Sequence, residues 1–84
     1  MKRVRSFGFN NEDGDEVAIV DIYIRGGFFD PEYVSKVTFH SGGRTTTAGY
    51  GMSEATASAQ AMVHLFRKLG EEEFDRGDVY DYEG

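Results

Sequence analysis

The side chains able to do chemistry in this chain are few in kind. It has two histidines, His40 and His64, no cysteine, and fifteen carboxylates. Nucleophilic catalysis needs a hydroxyl or thiol beside a base that a third group orients. No spacing in this sequence gathers a serine, a histidine and a carboxylate. A metal site needs ligands at a short fixed interval, as in H-E-x-x-H, and the two histidines stand in no such pattern. His40 reads as the end of a strand beside a hairpin, and His64 as a surface or structural residue on a helix. The residues therefore point away from an enzyme, a metal centre or a bound cofactor.

Three further stretches offer sites by type and fail on spacing. "NNEDGDEV" carries an Asp-Gly step, Asp13-Gly14, like a calcium loop. Aligned on that step, Phe9 and Val20 fall at the first and last ligand positions, where oxygen is needed. "RGGFFD" and "SGGR" lack phosphate-loop spacing and open no helix. "GYGMSEA" does open one, but Glu54 already occupies the field at its N-terminus, where an anion would sit. Arg76-Gly77-Asp78 spells an integrin-binding tripeptide, a three-residue match that chance produces readily.

What remains is the carboxylates themselves, and their placement is uneven. Residues 71–84 set Glu71, Glu72, Glu73, Asp75, Asp78, Asp81 and Glu83 against Arg76 alone, so this stretch matches the net charge of −6 of the whole chain. The preceding residues balance. Phe74, Val79, Tyr80 and Tyr82 interleave with the acids. A purely solubilising tail has no need of tyrosines, whereas rigid aromatic anchors between charges suit a contact surface. The charge opposes direct nucleic-acid binding, which takes clustered Lys and Arg, and fits a protein partner with a basic surface. Candidate partner-binding residues are Glu71, Glu72, Glu73, Asp75, Asp78, Tyr80, Asp81, Tyr82 and Glu83. Asp13, Asp15 and Glu16 form a second acidic cluster.

The strands and the helix that carry these residues follow from periodicity. Eighty-four residues with five Tyr and seven Phe make one small domain. Residues 2–9 read as a strand ending at the Asp13-Gly14 hairpin turn. Residues 16–25, "EVAIVDIYIR", place Ala18, Val20, Ile22 and Ile24 on one face. Val17, Ile19, Asp21, Tyr23 and Arg25 fall on the other, half of it apolar. That pattern marks a central strand, covered on both sides or facing a partner. Gly26-Gly27 reads as the break after it and "FFDPE" as a loop with Pro31 in a turn. Residues 33–40 and 44–50 form two more strands around Ser41-Gly42-Gly43. Ser53 reads as an N-cap, the helix runs to Leu69, and Gly70 is its stop. Ala55, Ala59, Met62, Phe66 and Leu69 recur at helical spacing and are expected to face the sheet. The expected fold is α+β: an antiparallel sheet of three to four strands with one C-terminal helix packed across it (ββββα). A domain of residues 1–70 is then followed by an acidic aromatic tail, 71–84, in which "DVYDY" has the option of adding an edge strand.

Two resemblances bear on function. "GGRTTTAGYGMSEATASAQAMVHLF", a strand, a glycine turn and an alanine-rich helix, resembles the C-terminal half of a double-stranded-RNA-binding domain. In that family lysines at the helix start grip phosphate. Here those positions are Glu54, Ala55, Thr56 and Ala57, so the RNA-binding function does not carry over. The small acidic chain with its "SGGRTTTAGYGMSEATASAQAM" stretch also resembles phage-encoded anti-defence inhibitors of the anti-CRISPR type. That resemblance implies a protein that binds a nucleic-acid-binding machine and blocks it as a DNA mimic, its carboxylates standing in for phosphates. It implies the cytoplasm of a bacterial cell as location. The alternative is a small structural or assembly module, a homodimer without inhibitory role. No apolar stretch is long enough for a membrane span, and no signal peptide is legible.

Overall fold

A computed structural model describes residues 1–27, 29–70 and 74–81, the last four of them as backbone only. The described residues form strands β1 (Lys2–Asn10), β2 (Glu16–Gly27), β3 (Asp30–Phe39) and β4 (Thr45–Gly51), helix α1 (Glu54–Leu69) and strand β5 (Asp75–Asp81). The strands make one sheet in the order β4-β3-β2-β1-β5, antiparallel at every pairing. The fold is α+β, with one helix on one face of the sheet, as the patterning predicts. Among the described residues no helix is long and apolar enough to cross a membrane.

Register explains which side chains meet. Phe7, Val20 and Val37 lie abreast on β1, β2 and β3, and so do Phe9, Ala18 and Phe39. With Ile22 they form the helix-facing side of the core, which Ala57, Ala61, Leu65 and Phe74 complete. The opposite face carries a second, smaller arrangement. There Tyr23, Val34 and Tyr50 stand in one row, and Val34 is buried although it is no part of that core cluster. Lys36 lies over the Tyr23 ring at 5.2 Å, and Arg25 over the Tyr50 ring at 5.1 Å. Such cation–π stacking shields the open sheet face without a second layer.

The β2–β3 connection is tighter than the expected loop. Gly26-Gly27 does not break the strand. Both glycines stay in β2 and pair with Pro31 and Asp30, so Pro31 is a strand residue near the start of β3. Proline is tolerated at a strand start because little of the ladder there depends on its missing N–H. Gly26 takes φ +95°, and a Cβ on it would run into the Asp30 carbonyl. Glycine is needed there for two reasons at once.

Helix α1 begins and ends where its caps predict. The Ser53 hydroxyl accepts from the Thr56 N–H at 3.1 Å, and Gly70, at φ +70°, donates its N–H to the Phe66 carbonyl at 2.8 Å. Its facing differs from expectation. The buried residues are Ala57, Ala61 and Leu65, while Phe66 and Leu69 are 45% and 42% exposed and Ala55 and Ala59 are also exposed. The cause is the sheet beneath. Cβ atoms on Gly49 and Gly51 would collide with Gln60 and with Thr56 and Ala57. A helix this close over β4 has no room for a bulky apolar side chain at its near positions, so the Phe66 stripe turns outward.

Residues 75–81, expected in a tail beyond the domain, instead pair along β1, with Phe7 opposite Val79 and Asn10 opposite Asp75. Phe74 is buried in the core at 6% exposure, and the Arg76 guanidinium lies over the Phe7 ring at 4.5 Å. Without β5, β1 would be an open edge. The edge strand that "DVYDY" offers is formed, and it begins earlier, at Asp75; propensity does not mark that start, because glycine and acidic residues are poor strand formers.

Leu65→Ala is expected to cost about 2–5 kcal/mol in urea unfolding of dilute protein, and Phe66→Ala less than about 1 kcal/mol. Equal losses would contradict the burial assigned to the two residues.

Candidate protein-binding surface

The candidate site is built from the β1–β2 turn upward. Asn11 organises it. Its Oδ1 accepts from the N–H groups of Asp13 and Asp15, both at 3.0 Å, and its own N–H donates to the Asp15 carbonyl at 2.9 Å. Gly14 takes φ +84° and donates to the Asn11 carbonyl at 3.0 Å. A side-chain acceptor that ties down two backbone donors stiffens a short turn. The Asp13 and Asp15 carboxylates therefore stand exposed on a constrained loop.

Sheet pairing brings two more carboxylates to them. Asn10 pairs with Glu16 on one side and with Asp75 on the other. Glu16 and Asp75 thus flank β1 at the end that carries Glu12, Asp13 and Asp15. Two segments some 60 residues apart in sequence make one acidic end of the sheet. Gly77 helps hold β5 in place, since the Asn10 side chain fills the space a Cβ there would need.

The carboxylates and tyrosines singled out from sequence do not all gather at that end. Asp13, Asp15, Glu16 and Asp75 do. Asp78 and Tyr80 lie along β5, and Asp81 pairs with Arg5 towards its far end. At about 3.3 Å per residue, Asp81 is on the order of 20 Å from Asp75. Glu71, Glu72, Glu73, Tyr82 and Glu83 lie outside the described residues. No signal short of the β1–β5 register could have joined Asp75 to the hairpin acids.

Glu16 has a partner that sequence reading missed. Its Oε1 is 2.7 Å from His40 Nε2, a contact that links the start of β2 to the end of β3. Beside it lies an open hollow of about 280 Å³ lined by Glu16, Val17, Phe39, His40, Ser41 and Leu69. The lining is mostly apolar side chain, and the His–Glu pair at its rim is solvent-exposed. Among the described residues, no three His, Asp or Glu side chains group closely enough to hold a metal ion.

His64 is held away from its ordinary titration by its surroundings. It leans towards Phe39, ring centroids 6.2 Å apart. Its Nε2 is sealed from solvent, with no hydrogen-bond partner among the described residues. Burial first, then the charges of Lys68 and Arg67, push its pKa below the usual 6.5. Comparisons with family models, with curated proteins and with solved structures find no match for this chain.

The His64 displacement has a definite sign. The unfolded chain takes up the proton more readily than the folded one, so the stability His64 contributes is present above the unfolded value near 6.5 and is lost as pH falls below it. His64→Gln is expected to flatten the loss of urea midpoint between about pH 7 and about pH 5. An unchanged slope would show that His64 titrates as it does in the unfolded chain.

Proposed function

We propose that this chain is a non-catalytic binding protein that sets its acidic end against a basic, nucleic-acid-binding surface of a protein machine and so competes with nucleic acid for it. The observation that carries the reading is the convergence of Asp13, Asp15, Glu16 and Asp75 at one end of the sheet, on a turn braced by Asn11. Constrained carboxylates lose less entropy on binding than carboxylates on a free chain. They also attract a basic partner from a distance and speed its approach. The anti-CRISPR resemblance supplies the class of partner to try first, a CRISPR surveillance complex or nuclease.

Residues 71–84 carry part of the fold as well as the charge. Removing residues 71–84 would remove β5 and the buried Phe74 together with the charge, and so mix loss of fold with loss of contact. Charge-neutral point changes on exposed carboxylates avoid this. The variant Asp13→Asn/Asp15→Asn/Asp75→Asn is expected to keep the parent's Tm while associating roughly tenfold or more slowly with such a complex at low salt. Target DNA is expected to exclude the parent protein from that complex. Undiminished association by the folded variant would remove the acidic end from the interface, and simultaneous binding of DNA would remove the competition.

A further inference from the structure

Helix α1 has two apolar faces, and the core uses one. Ala57, Ala61 and Leu65 point into the sheet. Ala55, Ala59, Met62, Val63, Phe66 and Leu69 lie about 140° round the helix from them, at 3.6 residues per turn. Val63 is 49% exposed, Phe66 45% and Leu69 42%. Met62 is half-buried, and the two alanines are exposed. Isolated exposed apolar residues need no explanation, but a continuous stripe along four turns of helix does.

The stripe is graded. Its N-terminal half is small, Ala55 and Ala59, and its C-terminal half is large, Phe66 and Leu69. We infer that this face is the self-association surface of the protein, with two copies packing α1 against α1 antiparallel about a two-fold axis near Met62. A two-fold axis there sets Ala55 of one copy opposite Leu69 of the other, and Ala59 opposite Phe66. Each large side chain then meets a small one, twice over by symmetry, as an isologous interface requires. A parallel pairing would instead set large against large and leave the alanines facing a gap.

Charge selects the same orientation. The first turn of α1 carries Glu54, 3.9 Å from Arg5, and the last turn carries Arg67 and Lys68, so the helix ends differ in sign although Glu54 and Lys68 lie off the stripe itself. Antiparallel packing brings unlike helix ends and opposed macrodipoles together, whereas parallel packing brings like ends together. The helix is about 24 Å long. One such face gives less than the about 800 Å² per partner of a standard interface, so the dimer is weak and concentration-dependent. Glu16 of the acidic end comes near this face at Leu69, but the helix pairing does not depend on the proposed inhibition.

The chain has no cysteine, so introduced thiols report position alone. Ala55→Cys and Leu69→Cys proteins, mixed and oxidised, are expected to form mainly the mixed disulfide, because only the antiparallel pairing places positions 55 and 69 within reach. Dominant 55–55 and 69–69 disulfides would overturn the orientation. Sedimentation equilibrium of the unmodified protein is expected to show monomer and dimer exchanging with concentration. Phe66→Glu, with circular dichroism confirming its fold, is expected to weaken the dimer at least about tenfold. A strict monomer at about 1 mM, or a dimer that folded Phe66→Glu leaves untouched, would show that something else covers the stripe, another protein or the chain's own C-terminal residues.

Discussion

The close approach of α1 to β4 is the constraint from which the rest of the architecture follows. Gly49 and Gly51 remove the side chains that would hold the helix off, and Ala57 and Ala61 remove them from the other side. Gln60 then closes the contact. Its Oε1 accepts from the Tyr50 N–H at 3.2 Å, and its Nε2 donates to the Tyr50 carbonyl. One amide side chain thereby satisfies two backbone groups of an edge strand, as a neighbouring strand would. Ala48 is the extra residue where the β3–β4 register shifts, and it packs against the core from that position. A helix held at this distance and rotation has no room for Phe66 beneath it, and this is why the bulky residues face out.

The same placement directs the chain beyond the helix. Leu69 comes to the hollow beside Glu16 and His40, at the sheet end formed by the β1–β2 turn. Phe74 enters the core cluster, and β5 then closes the free side of β1. Arg76, the one cation among residues 71–84, lies over Phe7 at 4.5 Å. There it covers the core at the acidic end of the sheet. The acidic stretch is in this sense divided. Part of it is a strand whose backbone the sheet requires, and Asp75 projects from that strand beside the hairpin acids.

Charge on the open sheet face behaves differently from charge at the sheet end. Arg25 and Lys36 lie over tyrosines, and Arg25 also pairs with Glu32. Asp21 accepts from buried Ser6 and lies 3.7 Å from Arg3. These groups are mutually occupied, and exposed pairs of this kind contribute little to stability. They keep a half-apolar face compatible with water. At the β1–β2 turn, by contrast, carboxylates outnumber cations and are held apart on constrained backbone, the arrangement suited to long-range attraction.

Much of the fold was legible in local chemistry. Ser53 and Gly70 bound the helix because orphan backbone groups at its ends need a hydroxyl and a left-handed residue. Asp13-Gly14 and Gly42-Gly43 mark two hairpins because those turns need positive φ, and alternation in 16–25 marks the central strand. These signals act within a few residues, so one sequence carries them whole. Three features were not local. Both stripes of α1 are apolar at helical spacing, and only the glycines of β4 decide which one is buried. Strand β5 has weak propensity and exists because β1 offers an unpaired edge and the core a space for Phe74. The acidic end depends on Asn10 pairing with Glu16 and Asp75 at once. Local chemistry was enough to mark β1 to β4, α1 and the amount of negative charge. The tertiary structure decided which faces meet and where that charge gathers, because packing and strand register are set by partners distant in the chain.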